Sequence, residues 1–332
     1  ICVALLCATS VSALITATSG FKWVPTPKVR SAGSLRTVSS ALAAIVVIYT
    51  FLGGFKAVCW TDFFQGILML IALLAIPIIV TATQDLDTSL LANVYEYTDA
   101  SGEVVTCDFG EGLFSASWQD VLSGLGWGLG YFGMPHIIVR FMSIEKPSMV
   151  KKSAVIAIVW VVLSIGAACL MAYQARMIVG EELLTQGAQK TVFIAMARKF
   201  FPPIVSGFLL AAIMAASVST ADSQLLVASS SFTSDMYKPL IKKDAGDKEV
   251  LWVGRLAVVV IAIIAFMIAS SKGSGAQAIM NLVENAWGMF GAAFGPTILL
   301  SLFWRRFNYK GACAGVIVGA LTDGFWLAFL SS

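Results

Sequence analysis

The sequence predicts an all-α, polytopic membrane protein, and three observations carry that prediction. Hydrophobic types make up 58% of the 332 residues and charged types only 12%, about half the charged share of an ordinary soluble domain. The apolar residues gather into runs of roughly twenty, the length of a helix that crosses a bilayer. Those runs are apolar on every side, whereas a membrane β-barrel would alternate polar and apolar positions. A soluble enzyme, a disordered chain and a collagen-like fibre are excluded together. The formal net charge is only +3 and no long Lys/Arg block occurs, so nothing supports nucleic-acid binding.

Residues 1–19 are apolar but rich in Ala, Ser and Thr. They resemble a helix remnant or a secretory leader ending near Val11-Ser12-Ala13, but have neither a basic start nor a first Met. The chain is therefore expected to begin inside a longer protein. Residues 20–37 form a basic connector with Lys22, Lys28, Arg30 and Arg36. Spans are expected at 38–53, 62–83, 118–142, 150–178, 201–232, 249–271, 277–303 and 311–331. The one long polar segment, 84–117, carries seven acids and neither Lys nor Arg.

Basic residues orient the spans. With 84–117 outside, the inner side collects Lys56, Arg140, Lys146, Lys151, Lys152, Lys238, Lys242, Lys243, Lys248, Arg255, Arg305, Arg306 and Lys310. The outer side holds Arg176, Lys190, Arg198, Lys199 and Lys272. The connector 20–37 falls outside and runs against the rule. The six cysteines (Cys2, Cys7, Cys59, Cys107, Cys169 and Cys313) have no regular spacing and read as small apolar side chains. One histidine, His136, excludes a His-rich metal site.

Three segments could carry function. Ser123–His136 includes five glycines and Pro135 within one span, too many for a continuous helix. Gly128, Gly130 and Gly133 match a dinucleotide fingerprint, but no strand precedes them. Inside a bilayer, broken backbone survives where it is buried or lines a cavity, which is how transporters build solute sites. Trp127 and Tyr131, four apart, share a helix face and could form a wall for a small amphipathic solute. Close glycine-mediated helix packing is the competing explanation.

The second segment is Ala211–Gln224. With Ala216 set at zero, Ser219, Thr220 and Ser223 lie at about 300°, 40° and 340°, while Asp222 lies about 110° from the centre of that face. The hydroxyl face sits near the middle of its span. It could supply oxygen ligands to Na⁺, or its hydroxyls could bond back to their own helix. Asp222, an acid within a span, is a functional candidate that could also be tied to a neighbouring helix. The third is Tyr49–Asp62, a Gly53-Gly54 turn followed by an acid. Thr61 or Asp62 could be an N-cap, and Asp62 could serve an ion path. Arg140, at the inner end of its span, is expected to snorkel.

YTFLGGFKAVCWTD (49–62), GWGLGYFGMPHIIVRFM (126–142), AAIMAASVSTADSQLLVASSS (211–231), KEVLWVGR (248–255) and AWGMFGAAFGP (286–296) together resemble the sodium:solute symporter family, closest to its proline-carrying members. The resemblance covers about 38–332, leaving 1–37 atypical. It implies an inverted-repeat, five-plus-five-helix, sodium-coupled transporter fold with its N-terminal part missing. A partial first repeat would occupy 38–83, the second repeat 118–303 and an extra helix 311–331. It implies sodium at the Ala216 carbonyl and the Ser219 and Thr220 hydroxyls, the solute at Trp127, Tyr131 and Pro135, and ion passage past Asp62. The implied function is symport of Na⁺ with L-proline across the plasma membrane, without covalent chemistry. Asp222 departs from the proline carriers. Pantothenate, a monocarboxylate or another amino acid remains an alternative solute, and a membrane solute sensor an alternative role.

Overall fold

The computed structural model describes residues 32–98, 104–108, 117–180, 191–271 and 276–329. The expectations for 1–31, including the leader-like stretch and most of the connector, lie outside these residues. Among the described residues, six helices are long and apolar enough to cross a membrane.

Helix α1 (Ala32–Thr83) joins the first two expected spans and breaks only at Gly54, where φ is +58° and ψ −156°. The chain between the expected spans, 54–61, is thus helical apart from one residue, because 55–61 contains no breaker. Thr61 donates to the Val58 and Ala57 carbonyls at 2.9 and 3.1 Å, so the N-cap expected at Thr61 or Asp62 does not form. Pro77 lies further along α1.

The polar segment is not featureless. A 3-10 turn (Thr88–Ala92) is capped by Asp87, whose carboxylate accepts from the Ser89 hydroxyl at 2.6 Å and N–H at 2.9 Å. These two bonds hold the Asp87 carboxyl below the usual carboxylate range. Strands β1 (Val94–Thr98) and β2 (Val104–Asp108) then pair antiparallel, with Glu96 opposite Thr106. The Val-Tyr-Glu-Tyr-Thr and Val-Val-Thr runs are β-branched and aromatic, which suits a pleated surface.

The glycine-rich span breaks as expected. Helix α2 (Trp118–Gly130) passes into a 3-10 turn (Tyr131–Gly133), and α3 (Pro135–Met142) restarts with proline at its first position. There proline costs no hydrogen bond. Helix α4 (Met149–Ile178) follows, then a short α5 (Val192–Phe200) that the sequence reading had not assigned. Helix α6 (Pro203–Ser231) continues as a π-helix (Phe232–Ile241), and α7 (Asp247–Ser271), α8 (Ala276–Phe303) and α9 (Tyr309–Phe329) complete the order. Glu249 fastens the π-helix to α7, accepting from Tyr237 Oη at 2.7 Å and from Lys242 Nζ at 2.8 and 2.9 Å. That carboxylate holds the Lys242 ammonium above the usual lysine range.

The chain forms two compact units. One gathers 63–122 and 145–216. In it the fully buried Gln174 of α4 donates to the Pro77 carbonyl at 3.1 Å and to Thr81 Oγ1 at 2.8 Å. Lys199 Nζ of α5 donates to the Ile178 carbonyl at 2.9 Å, closing the end of α4. The other unit gathers residues up to 62, 123–144 and 217–332. There α8 and α9 pack through glycines: a methyl on Gly319 would run into the Ala292 carbonyl, and one on Gly315 would lie 2.8 Å from Thr297 Oγ1. Small residues let membrane helices approach this closely. Cys59, Cys169 and Cys313 are free thiols.

Candidate functional site

The broken span is where the sequence pointed. The helix is interrupted there, and its later glycines pack tightly, as the packing explanation expects. A methyl on Gly130 would overlap the Trp287 indole, and one on Gly133 would strike the Phe290 backbone. Met134, fully buried, packs with Ala286 and Phe290 of α8. The earlier glycines differ, since methyls at Gly124, Gly126 and Gly128 would meet nothing within 4 Å.

Close approach of α8 brings Trp287 against both expected aromatics. It stacks on Trp127 with centroids 5.4 Å apart and meets Tyr131 edge-on at 4.7 Å. Its Nε1 donates to the Trp127 carbonyl at 3.0 Å, near the end of α2. Trp127 and Tyr131 remain 37% and 48% exposed, so the group presents open aromatic surface. Pro135 is half-buried. Trp287 was not singled out by sequence reasoning. The available signal was its place in the AWGMFGAAFGP stretch, where three glycines are interspersed with bulky residues.

On α6 the helix runs unbroken through Ala216, Ser219 and Thr220. Ala216 and Ser219 are half-buried and Thr220 is exposed. An intrahelical bond occupies one lone pair of a carbonyl and leaves the other for a ligand.

The strongest polar feature lies one turn on. Asp222 is fully buried and accepts from Tyr49 Oη of α1, so the alternative of a tie to a neighbouring helix holds. Arg140 of α3 pairs with Asp62 and donates to Ser223 Oγ at 2.6 Å. Ser223 Oγ lies 3.1 Å from Asp62 Oδ2 and 3.3 Å from Asp222 Oδ1, so its single proton serves one carboxylate at a time. Snorkelling is therefore not the account of Arg140: its guanidinium is committed to an ion pair. A straight helix would separate Tyr49 and Asp62 by about 20 Å. The break at Gly54 lets both reach adjacent residues of α6. Asp62 Oδ1 is buried and, among the described residues, receives no hydrogen bond. Two carboxyl groups, Asp62 and Asp222, thus lie beside one guanidinium.

The spans, the glycine-broken helix and the ionic network define a polytopic helical membrane protein. The family profile of the sodium:solute symporter family matches residues 34–319, and the chain belongs to that family. It is a multi-pass protein of the cell membrane.

Several relatives are closer than the profile. The chain is 40% identical over 291 residues to the high-affinity proline transporter PutP of Bacillus subtilis, covering 86% of this chain and 58% of that protein. It is 42% identical over 294 residues to sodium/proline symporter 2 of Staphylococcus saprophyticus, covering 87% and 55%. It is 38% identical over 300 residues to the sodium/proline symporter of Escherichia coli, covering 89% and 58%. The chain thus spans a little over half the length of these relatives. A solved Na⁺-coupled sialic acid symporter, in a substrate-bound outward-open state described as revealing a novel Na⁺ site, superposes with a TM-score of 0.64 at 18% identity. That match covers 98% of this chain and 73% of the other, and shows a common fold.

Proposed function

We propose that this chain is the core of a secondary active transporter that couples Na⁺ entry to uptake of L-proline and performs no covalent chemistry. One observation carries the reading: identity of about 40% to proteins named for proline transport, over 86–89% of the chain. In this reading 38–83 belongs to a first repeat, 118–303 is the second and 311–331 is an extra helix. Na⁺ takes the Ala216 carbonyl and the Ser219 and Thr220 hydroxyls, oxygen ligands of the kind a hard cation prefers. Proline takes Trp127, Tyr131 and Pro135, where exposed aromatic surface can contact an apolar ring. Asp62 lines the ion path, and its buried Oδ1, without a hydrogen bond among the described residues, supports that role.

The driving force is the Na⁺ gradient and the membrane potential, about 2.3 kcal/mol per charge per 100 mV. Coupling is reciprocal, so Na⁺ and proline tighten each other's binding by one factor. In full-length protein in proteoliposomes, Ser219→Ala and Thr220→Ala raise the Na⁺ concentration for half-maximal uptake about ten- to a hundredfold, as expected for a lost ligand of 1.5–3 kcal/mol. Trp127→Ala and Tyr131→Ala weaken proline uptake, whereas Trp326→Ala, exposed on α9, does not. Unchanged Na⁺ dependence in both hydroxyl variants returns those hydroxyls to back-bonding. Uptake of another solute in place of proline refutes the solute alone.

A further inference from the structure

A second cavity lies away from the aromatic group and the ionic network. It encloses about 270 Å³ where the Gly53–Gly54 break of α1 faces the end of α6 and the start of α7. Its polar lining includes Thr50, Ser229, Thr233, Ser234 and Arg255. Thr50 is 2% exposed. Thr233 and Ser229 donate to carbonyls of their own helix at 2.7 and 2.9 Å.

Arg255 is the distinctive member. Its guanidinium sits 5.5 Å from the Phe51 ring and 5.2 Å from the Trp252 ring, and those rings meet edge-on at 6.0 Å. The aromatic clamp fixes the charge. Among the described residues no carboxylate pairs with it. A guanidinium offers five donors and matches phosphate in a planar fork. A half-buried guanidinium in a pocket ringed by hydroxyls offers the donors that an anion would use.

The surroundings say where the anion comes from. At the rim Leu52, Leu251 and Trp252 are 66%, 55% and 60% exposed, an apolar surface suited to acyl chains. Lys56, Lys238 and Lys248 follow in the sequence near the same helix ends, on the side that the positive-inside pattern makes cytoplasmic. Basic residues beside apolar surface at a membrane boundary recognise anionic headgroups.

We propose that this cavity binds the headgroup phosphate of an anionic phospholipid, with Arg255 as its charge partner and the acyl chains lying along α1 and α7. The site is separate from the transport site and does not depend on the solute assignment.

Native mass spectrometry of purified full-length protein, titrated with phosphatidylglycerol, phosphatidylcholine or inorganic phosphate, tests it. Phosphatidylglycerol binds more tightly than phosphatidylcholine. Arg255→Gln weakens it about five- to tenfold and removes the preference, in keeping with about 1 kcal/mol per basic residue. Arg255→Lys keeps part of the preference, and Lys152→Gln, which removes an exposed charge at the start of α4 and outside the cavity lining, keeps all of it. Ser230→Phe, placing a ring over the cavity from its exposed rim, loses the lipid while leaving Arg255 intact, so the result stands even if Arg255→Gln fails to fold. Equal phosphatidylglycerol affinity in the native protein, Arg255→Gln and Ser230→Phe overturns the proposal. Displacement of the lipid by millimolar inorganic phosphate also overturns it, since the site would then serve a soluble anion.

Discussion

One substitution, glycine to alanine, should act with opposite signs at two places in the broken span. At Gly133 the added methyl would lie 2.6 Å from the Phe290 carbonyl carbon and 2.9 Å from the Gly291 nitrogen, with the Phe290 oxygen nearer still. These are backbone atoms of α8, which cannot rotate aside as a side chain can. Overpacking of a filled site costs about 1–3 kcal/mol, and a rigid backbone obstacle places Gly133→Ala at the upper end, about 2–3 kcal/mol. At Gly128 the methyl meets nothing within 4 Å. Gly128 lies inside α2, where alanine improves on glycine by about 0.5–1 kcal/mol. Gly128→Ala should therefore stabilise while Gly133→Ala destabilises, a separation of about 3 kcal/mol. Unfolding of detergent-purified protein, followed by tryptophan fluorescence, reads both, because Trp127 and Trp287 stack beside the break. Shifts of the same sign would refute the claim that tight packing begins only at Gly130.

Two further outcomes concern the ionic network. The Asp62 and Arg140 side chains are 17% and 41% exposed, between the surface and buried limits for ion pairs. Asp62→Asn should cost about 1–3 kcal/mol in denaturant unfolding, and Asp62→Asn with Arg140→Gln less than the sum of the single changes; strict additivity would deny the pair. Tyr49→Phe removes a donor from the fully buried Asp222 and should cost about 1–3 kcal/mol; an unchanged unfolding midpoint would show that the Tyr49 contact contributes nothing.

The helical spans were legible because a bilayer demands about twenty apolar residues, a signal contained in each segment alone. The break at Tyr131–Pro135 was legible for the same local reason, glycines and a proline in one run. The hairpin at 94–108 was missed because its cue is five residues long inside an acidic stretch, where charge dominated the reading. The network was only half legible. A helical wheel separated Asp222 from the hydroxyl face, and the structure uses that separation: Asp222 meets Tyr49, while Ser223 meets Asp62 and Arg140. No spacing rule could choose those partners, since Asp62 and Arg140 are 78 residues apart and Tyr49 and Asp222 are 173. The default of snorkelling for Arg140 failed because it weighs a cation against the bilayer and not against a carboxylate carried on another helix.

The three polar helices also explain why Gly54 suits its place. Tyr49 and Asp62 lie on opposite sides of the break, yet their partners are adjacent on α6. A residue with a Cβ is disfavoured at φ +58° and ψ −156°, so glycine permits a turn short enough for one helix to serve both carboxylates. Arg140 enters from α3, seven residues past the 3-10 turn that carries Tyr131 to Gly133. The aromatic group and the ionic network are therefore joined by one short helix that starts at Pro135. A shift of α3 that reshapes the aromatic wall must also move the guanidinium between Asp62 and Ser223. A bound cation near Asp62 would compete with that guanidinium for the same oxygens. Connection through a helix of eight residues therefore ties the geometry of the aromatic group to that of the ionic network.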